Sequence, residues 1–330
     1  MEQLFWAFFT IVAGVFGCAA YFWLSNLALD MVFPGKGPNA GANINRASPI
    51  RPWLFLFPAL FALGVYLVYP VFNSVWLSFR DDAGEAFVGG TNYAWMVNDP
   101  KFQESMRNNM LWLVVVPAAS TFFGLISAAL TDRIKWGNIA KSLIFMPMAI
   151  SFVGASVIWK FIYDYRAEEQ AQIGLLNALT VVLGGTPEAW ITVSFWNNFL
   201  LMAILIWIQT GFAMVILSAA LRGIPEETVE AAILDGATPL QVFWKIKVPQ
   251  IWGTIAVVWT TITIVVLKVF DIVLAMTNGQ WGSQVLANLM FDWMFRGADT
   301  GRASTVALVI MLLVTPIMVW NIRNARKEMS

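Results

Sequence analysis

The sequence predicts an all-α integral membrane protein with seven transmembrane helices, and three observations predict it. Hydrophobic residues make up 59% of the 330-residue chain and charged residues 12%, about half the charged share of soluble proteins. A water-soluble domain of this length cannot hide so much apolar surface, so lipid must be part of its solvent. Second, seven uncharged runs, Gln3–Leu29, Trp53–Phe79, Asn108–Thr131, Ser142–Trp159, Ala189–Leu221, Val248–Leu267 and Ala303–Ile322, each reach at least 18 residues. About 20 residues of helix cross roughly 30 Å of hydrocarbon. Third, Lys and Arg alternate in density between successive connections, as they do in multi-pass chains.

The first run begins Met1-Glu2-Gln3, which is acidic where a cleaved leader is basic, and it is longer than a leader's apolar stretch. Residues 1–30 therefore read as a retained, extra N-terminal transmembrane helix. Residues 31–52, rich in Gly, Pro and Asn from Phe33 onward, read as a flexible cytoplasmic linker. The main transmembrane domain follows over 53–322. The fourth run, Ser142–Trp159, is the shortest and can extend to Tyr163 if Lys160 snorkels to the interface.

Segments 30–52, 132–141, 222–250 and 322–330 together hold twelve Lys and Arg, against six in the alternate set, where acidic residues dominate. The first set is thus expected in the cytoplasm, with the N-terminus periplasmic and the C-terminus cytoplasmic. No repeat of 20–50 residues is evident.

Composition also narrows the chemistry. There is no histidine and a single cysteine, Cys18, inside an apolar run, so the commonest general base, metal ligands and disulfides are missing. No metal site or catalytic residue is expected. The formal net charge is zero and no basic stripe is present, which argues against nucleic acid as a partner. No Walker A pattern occurs, so ATP is not expected to bind this chain.

Segment 222–250 is built like folded structure. Pro225 suits the first position of a helix, with Glu226 and Glu227 in its positive first turn. Gly236 stands where a helix ends in a left-handed residue. Thr238-Pro-Leu-Gln241 is a capping box that starts a second helix at once. Two short helices pivoting on Gly236 result, with Ala231, Ala232 and Ala237 keeping one surface low and Glu230 and Asp235 at its edge. Such an elbow can seat in another protein's groove or lie on the headgroups. Its acid-rich turn favours a protein partner, since surface helices favour Lys and Arg.

Glu230-Ala-Ala-Ile-Leu-Asp-Gly-Ala237, followed by Phe243, Ile246 and Pro249, resembles the EAA signature of binding-protein-dependent ABC importer permeases. In that family the loop is the coupling helix that seats in a cleft of the ATPase subunit, so the resemblance assigns Glu230, Ala231, Ala232, Asp235, Gly236 and Ala237 to coupling. Ser142 to Ser151 with Trp159-Lys160, and Lys268-Val-Phe-Asp271 with Thr277-Asn-Gly279, resemble the maltose permease-like carbohydrate group. Ile173-Gly-Leu-Leu-Asn177 resembles the alpha-glucoside branch. These motifs cover roughly residues 50–325. They imply a six-helix MetI-like core over about 105–322 plus the N-terminal helix, in the cell inner membrane. The implied partners are a second related permease, two ATPase subunits that carry ATP and magnesium, a periplasmic or lipid-anchored solute-binding protein, and a sugar.

Within the membrane, Lys268 and Asp271 are three residues apart and would share a helix face. They would sit near the outer interface, as an anchoring ion pair or as a latch at the periplasmic mouth. Gln209 and Thr210 are polar near mid-depth and should face the protein interior. By resemblance to the maltose permease, Ile208, Gln209 and Phe212 line the sugar cavity; alternatively Gln209 ties neighbouring helices together. The next helix departs from that permease, with aliphatic Ile262, Val265, Val266 and Val269 at the matching positions. Trp190, Trp196, Trp281 and Trp293 read as interfacial belt residues or sugar platforms. An ATP-independent secondary transporter or channel is the alternative reading. It would call for intramembrane carboxylates, histidines or discontinuous helices.

Overall fold

The computed structural model describes residues 2–328 apart from Lys36, Pro38, Asn39, Arg133 and Glu168. It resolves into two compact units, Met1–Asn73 and Ser74–Ser330. In the first, α1 (Glu2–Val32) runs 31 residues, and α2 (Ala40–Ala47) and α3 (Arg51–Leu63) follow. Tyr21 in α1 donates its hydroxyl to the Leu54 carbonyl of α3 at 2.7 Å, and Phe22 stacks on Phe55. The expected linker over 31–52 thus contains the helix Ala40–Ala47 and, after a turn, the start of α3 at Arg51. Asn43 and Arg46 give α2 a polar face, and Pro52 occupies the first turn of α3, where its missing N–H costs nothing.

A wide turn at Gly64–Val68 leads into α4 (Tyr69–Leu77), which carries the chain into the second unit. There α5 (Thr91–Asn98) precedes α6 (Pro100–Thr131), whose 32 residues extend about 48 Å. Asp99 caps α6 by accepting from Phe102 N at 2.7 Å, with Pro100 in the first turn. The chain continues through α7 (Gly137–Phe145), α8 (Phe152–Ile162), α9 (Leu175–Val182) and α10 (Trp196–Arg222). Next come α11 (Glu226–Leu234), α12 (Pro239–Gln241), α13 (Val248–Gln250) and α14 (Trp252–Leu267). Finally α15 (Asp271–Met276), α16 (Leu286–Phe291) and α17 (Thr300–Glu328) complete the unit. Among the described residues there is no strand beyond an isolated bridge between Arg80 and Phe87.

Five helices are long and apolar enough to cross a membrane, and the count reaches seven when two bent pairs each count as one crossing. The bends depart from the straight spans the sequence predicts. The fourth turns by 106° between α7 and α8. Pro147 removes a backbone donor there, and Ser151 starts the second half by accepting from Gly154 N at 3.1 Å. The sixth is bent by 71° at Ile251, so Val248–Gln250 belongs to the preceding limb rather than to the span.

Helix α10 runs through the middle of the second unit, packed on α6, α7, α8 and α14. Its fully buried side chains include Leu201, Met202, Leu205, Met214 and Leu217, joined by Trp112 from α6 and Ile262 from α14. Small residues permit this packing. A Cβ on Gly211 would lie 2.6 Å from the Ile144 carbonyl oxygen, so α7 approaches α10 backbone to backbone.

Candidate functional site

Segment 222–250 folds as an elbow. Pro225 is the cap of α11 (ψ 133°) rather than its first helical residue, and Glu226 and Glu227 fill the first turn. The helix ends at Leu234. Gly236 then adopts φ +82°, donating to the Ile233 carbonyl at 2.9 Å, and Ala237 N donates to Ala232 at 3.0 Å. These bonds satisfy carbonyls at the helix end, and a side chain at Gly236 would be strained. Thr238 and Gln241 form the reciprocal capping box, with Thr238 N donating to Gln241 Oε1 at 2.8 Å. The second limb then continues from Pro239 to Gln250 through a widened turn at Val242–Lys247.

At the tip Glu230, Ala231, Asp235 and Gly236 are exposed, and Ala232 and Ala237 are half-buried. Leu234 is 87% exposed, beside exposed Ile233 and Leu240. A convex, apolar, acid-edged surface of this kind can fill a groove on another protein.

The three residues assigned to the sugar cavity lie together on α10. Gln209 is thirteen residues from each end of Trp196–Arg222, about 20 Å from either. Ile208 and Gln209 are 2% and 6% exposed, while Phe212 is half-buried against the core. Among the described residues Gln209 makes no side-chain hydrogen bond, and the neighbouring Thr210 hydroxyl donates back to Ile206. Among the described residues, the tie between helices that Gln209 could form is therefore not made. The aliphatic Ile262, Val266 and Val269 are buried in the same core, where packing accounts for them.

Lys268 and Asp271 do not share a helix face. Helix α14 ends at Leu267 and α15 begins at Asp271, so the spacing rule for one continuous helix does not apply. Among the described residues no ion pair within 4 Å joins them, and Lys268 is exposed.

Two polar clusters escaped the reading of the sequence. At the end of the bundle away from the elbow, asparagine pairs pin the loop between α15 and α16. Asn108 donates to Gly282 O (2.9 Å) and Gln284 O (2.8 Å), and Asn197 donates to Trp281 O (2.9 Å). Asn109 accepts from Leu286 N (2.8 Å), and Asn198 accepts from the Trp112 indole at 3.3 Å. That loop holds Asn278 and Trp281 at φ +52° and +54°, a conformation that needs such support. Trp281 lies in this loop, and Trp293 lies beyond α16 in the segment Asp292–Arg296. Trp293 meets Trp95 edge-on at 5.1 Å, with Arg302 over both rings. The available signal was the doublets Asn108-Asn109 and Asn197-Asn198 beside apolar runs.

At the elbow end, Asp132 just beyond α6 joins Lys141 of α7 and Ser218 and Arg222 of α10. Burial of the carboxylate opposes its ionisation. Hydrogen bonds from Lys141 and Arg222, with their positive charges, outweigh that and hold its pKa below the ordinary 3.8.

Comparison with known proteins bears on this arrangement. Residues 120–326 match the family described as "Binding-protein-dependent transport system inner membrane component". The alpha-glucoside transport system permease protein AglF of Rhizobium meliloti is 72% identical, over 99% of this chain and 99% of its own length. The osmoprotective compounds uptake permease protein GgtC of Synechocystis is 50% identical, over 83% of this chain and 99% of its own. The fold is similar to that in a crystal structure of a bacterial ABC transporter that imports the acidic polysaccharide alginate. That likeness has a TM-score of 0.73 at 17% identity, covering 86% of this chain and 98% of the other.

Proposed function

The chain belongs to the binding-protein-dependent transport system inner membrane components, and from that premise we propose that it forms half of the pathway for an alpha-glucoside. As a member it is a transmembrane permease subunit of an ABC importer in the inner membrane, a transport component and not an enzyme. It works with a binding protein and partner subunits. The observation that carries the finer reading is the elbow: a left-handed Gly236 between two capped helices presents Leu234, Ile233 and Leu240 unburied. That surface would seat in a cleft of an ATPase subunit, with Glu230 and Asp235 at its rim.

The assembly would be a heterodimer of two related permeases with two ATPases, which alone bind ATP and magnesium. The cation-rich connections support a cytoplasmic elbow and C-terminus and an N-terminus outside. A solute-binding protein would dock at the asparagine-pinned end. Closure of the ATPases would displace the elbow, and α10 and α14, which flank it, would carry that movement into the membrane.

For the sugar, the buried amide of Gln209 is a donor and acceptor with no partner of its own among the described residues, at mid-length of the central helix. Leaving such a group unbonded is costly, so a passing hydroxyl is a favourable partner. Phe212 offers ring surface one turn along. The alpha-glucoside assignment is supported by the 72% relative.

Purification in mild detergent tests the reading: a stoichiometric ATPase should accompany the chain. The reconstituted complex should take up maltose, an alpha-glucoside, with hydrolysis stimulated by the loaded binding protein. Uptake without any ATPase subunit would favour the secondary transporter instead. Stimulation only by osmoprotective solutes would move the substrate toward that of the 50% relative.

A further inference from the structure

Four polar side chains from three helices meet where α10 runs into the elbow. Arg222 donates to the Asp132 carboxylate through Nε at 3.0 Å and Nη2 at 2.7 Å. Lys141 pairs with the same carboxylate and also donates to Ser218 Oγ at 2.6 Å. The Ser218 hydroxyl lies 3.2 Å from both Asp132 oxygens. The side chains of Lys141 and Asp132 are only 16% and 21% exposed, so solvent screens this contact less than an ordinary surface pair.

Position matters more than pairing. Arg222 is the last residue of α10, and Pro225, three residues on, caps the first elbow helix. A cavity of about 630 Å³ separates the two, with Ala129, Asp132 and Arg222 on the bundle side and Glu226, Val229 and Phe243 on the elbow side. Helix α11 is attached to α10 through the short segment 222–225, with this cavity between it and Asp132. A load applied at the elbow tip would arrive first at Arg222. There the carboxylate would share it among the end of α6, the middle of α7 and the end of α10. Helix α7 in turn leads into the bend at Pro147, next to the backbone contact between Ile144 and Gly211 and two residues from Gln209 in sequence.

We propose that Asp132, Lys141, Ser218 and Arg222 form a clasp that transmits elbow movement to the membrane helices, with Asp132 as a positioning residue for transport. The proposal rests on the elbow being the docking point of an ATPase. Without the clasp, displacement of α11 would flex residues 222–225 and leave α6 and α7 behind. A mere structural pin would instead affect how much complex forms, and not what each complex does.

The test is Asp132→Asn in the full importer, reconstituted with its partner permease, ATPases and binding protein. Complex yield and basal ATP hydrolysis should be unchanged, while maltose taken up per ATP falls about tenfold, within the range of coupling energies between linked sites. Asp132→Glu should restore most of it. Should Asp132→Asn lower the yield, Lys141→Gln leaves the Arg222–Asp132 pair in place and should reduce uptake per ATP about fivefold. Wild-type uptake per ATP in these variants, whatever the yield, would overturn the clasp alone. Absence of hydrolysis stimulated by any solute-loaded binding protein in the wild-type complex would overturn the importer reading and the clasp with it.

Discussion

The tip of the elbow and the middle of α10 invert each other. At the tip, Leu234 is 87% exposed in a segment rich in acids; at mid-length of α10, the polar residue Gln209 is 6% exposed beside an apolar core. Each is an apparent error for a chain folding alone. An exposed apolar knob beside charges gains nothing from water, and a buried amide without a partner loses its hydration. Together they support the proposal that this chain meets two things outside itself, a protein at one place and a polar solute at the other. Between them lies the ion-paired end of α10, which is satisfied internally.

The comparison breaks most visibly at the elbow. Gly236→Pro forces φ to about −65° where the chain needs +82° and removes the N–H that bonds Ile233. Glu230→Arg reverses the charge at the rim. Either change should abolish uptake and reduce substrate-stimulated ATP hydrolysis to the basal rate, with membrane insertion intact. Full stimulation in either variant would remove the elbow from the coupling path.

A smaller effect is expected in the membrane. Gln209→Leu deletes one neutral hydrogen bond to the sugar, about 1–2 kcal/mol or roughly 5- to 30-fold, and should do so unequally for different sugars. Measured per purified complex, a uniform loss across sugars would shift the polar contacts to the partner permease.

The smallest effect sharpens the contrast with the satisfied cluster. The pKa of Asp132 is lowered in the folded chain, so its contribution to stability is complete above the ordinary carboxylate value and is lost only as pH falls through the lower, folded one. The part of the complex's thermal stability that Asp132→Asn removes should therefore be the same at pH 7 and pH 5. A difference between them would mean that the carboxylate is not held by Lys141 and Arg222.

Much of this was legible from residue order, because the physics involved is local. The apolar runs needed only the thickness of a bilayer. Gly236, Thr238 and Gln241 announced the elbow because caps and left-handed glycines act within four residues. What residue order did not reveal depends on partners far apart in the chain. The bend at Pro147 was hidden by an unbroken apolar composition, since hydropathy does not register a lost donor. Lys268 and Asp271 looked like a pair because spacing presumes one continuous helix, and α14 ends between them. Asp132 counted as one acid in a basic loop until packing brought Ser218 and Arg222, 86 and 90 residues later, to its oxygens. The sequence by itself determined the solvent, the helices and the hinge, each through interactions between near neighbours. Only the tertiary structure decided where helices break, which ions meet and which polar groups remain free, because those outcomes follow from the close approach of α6, α7 and α10.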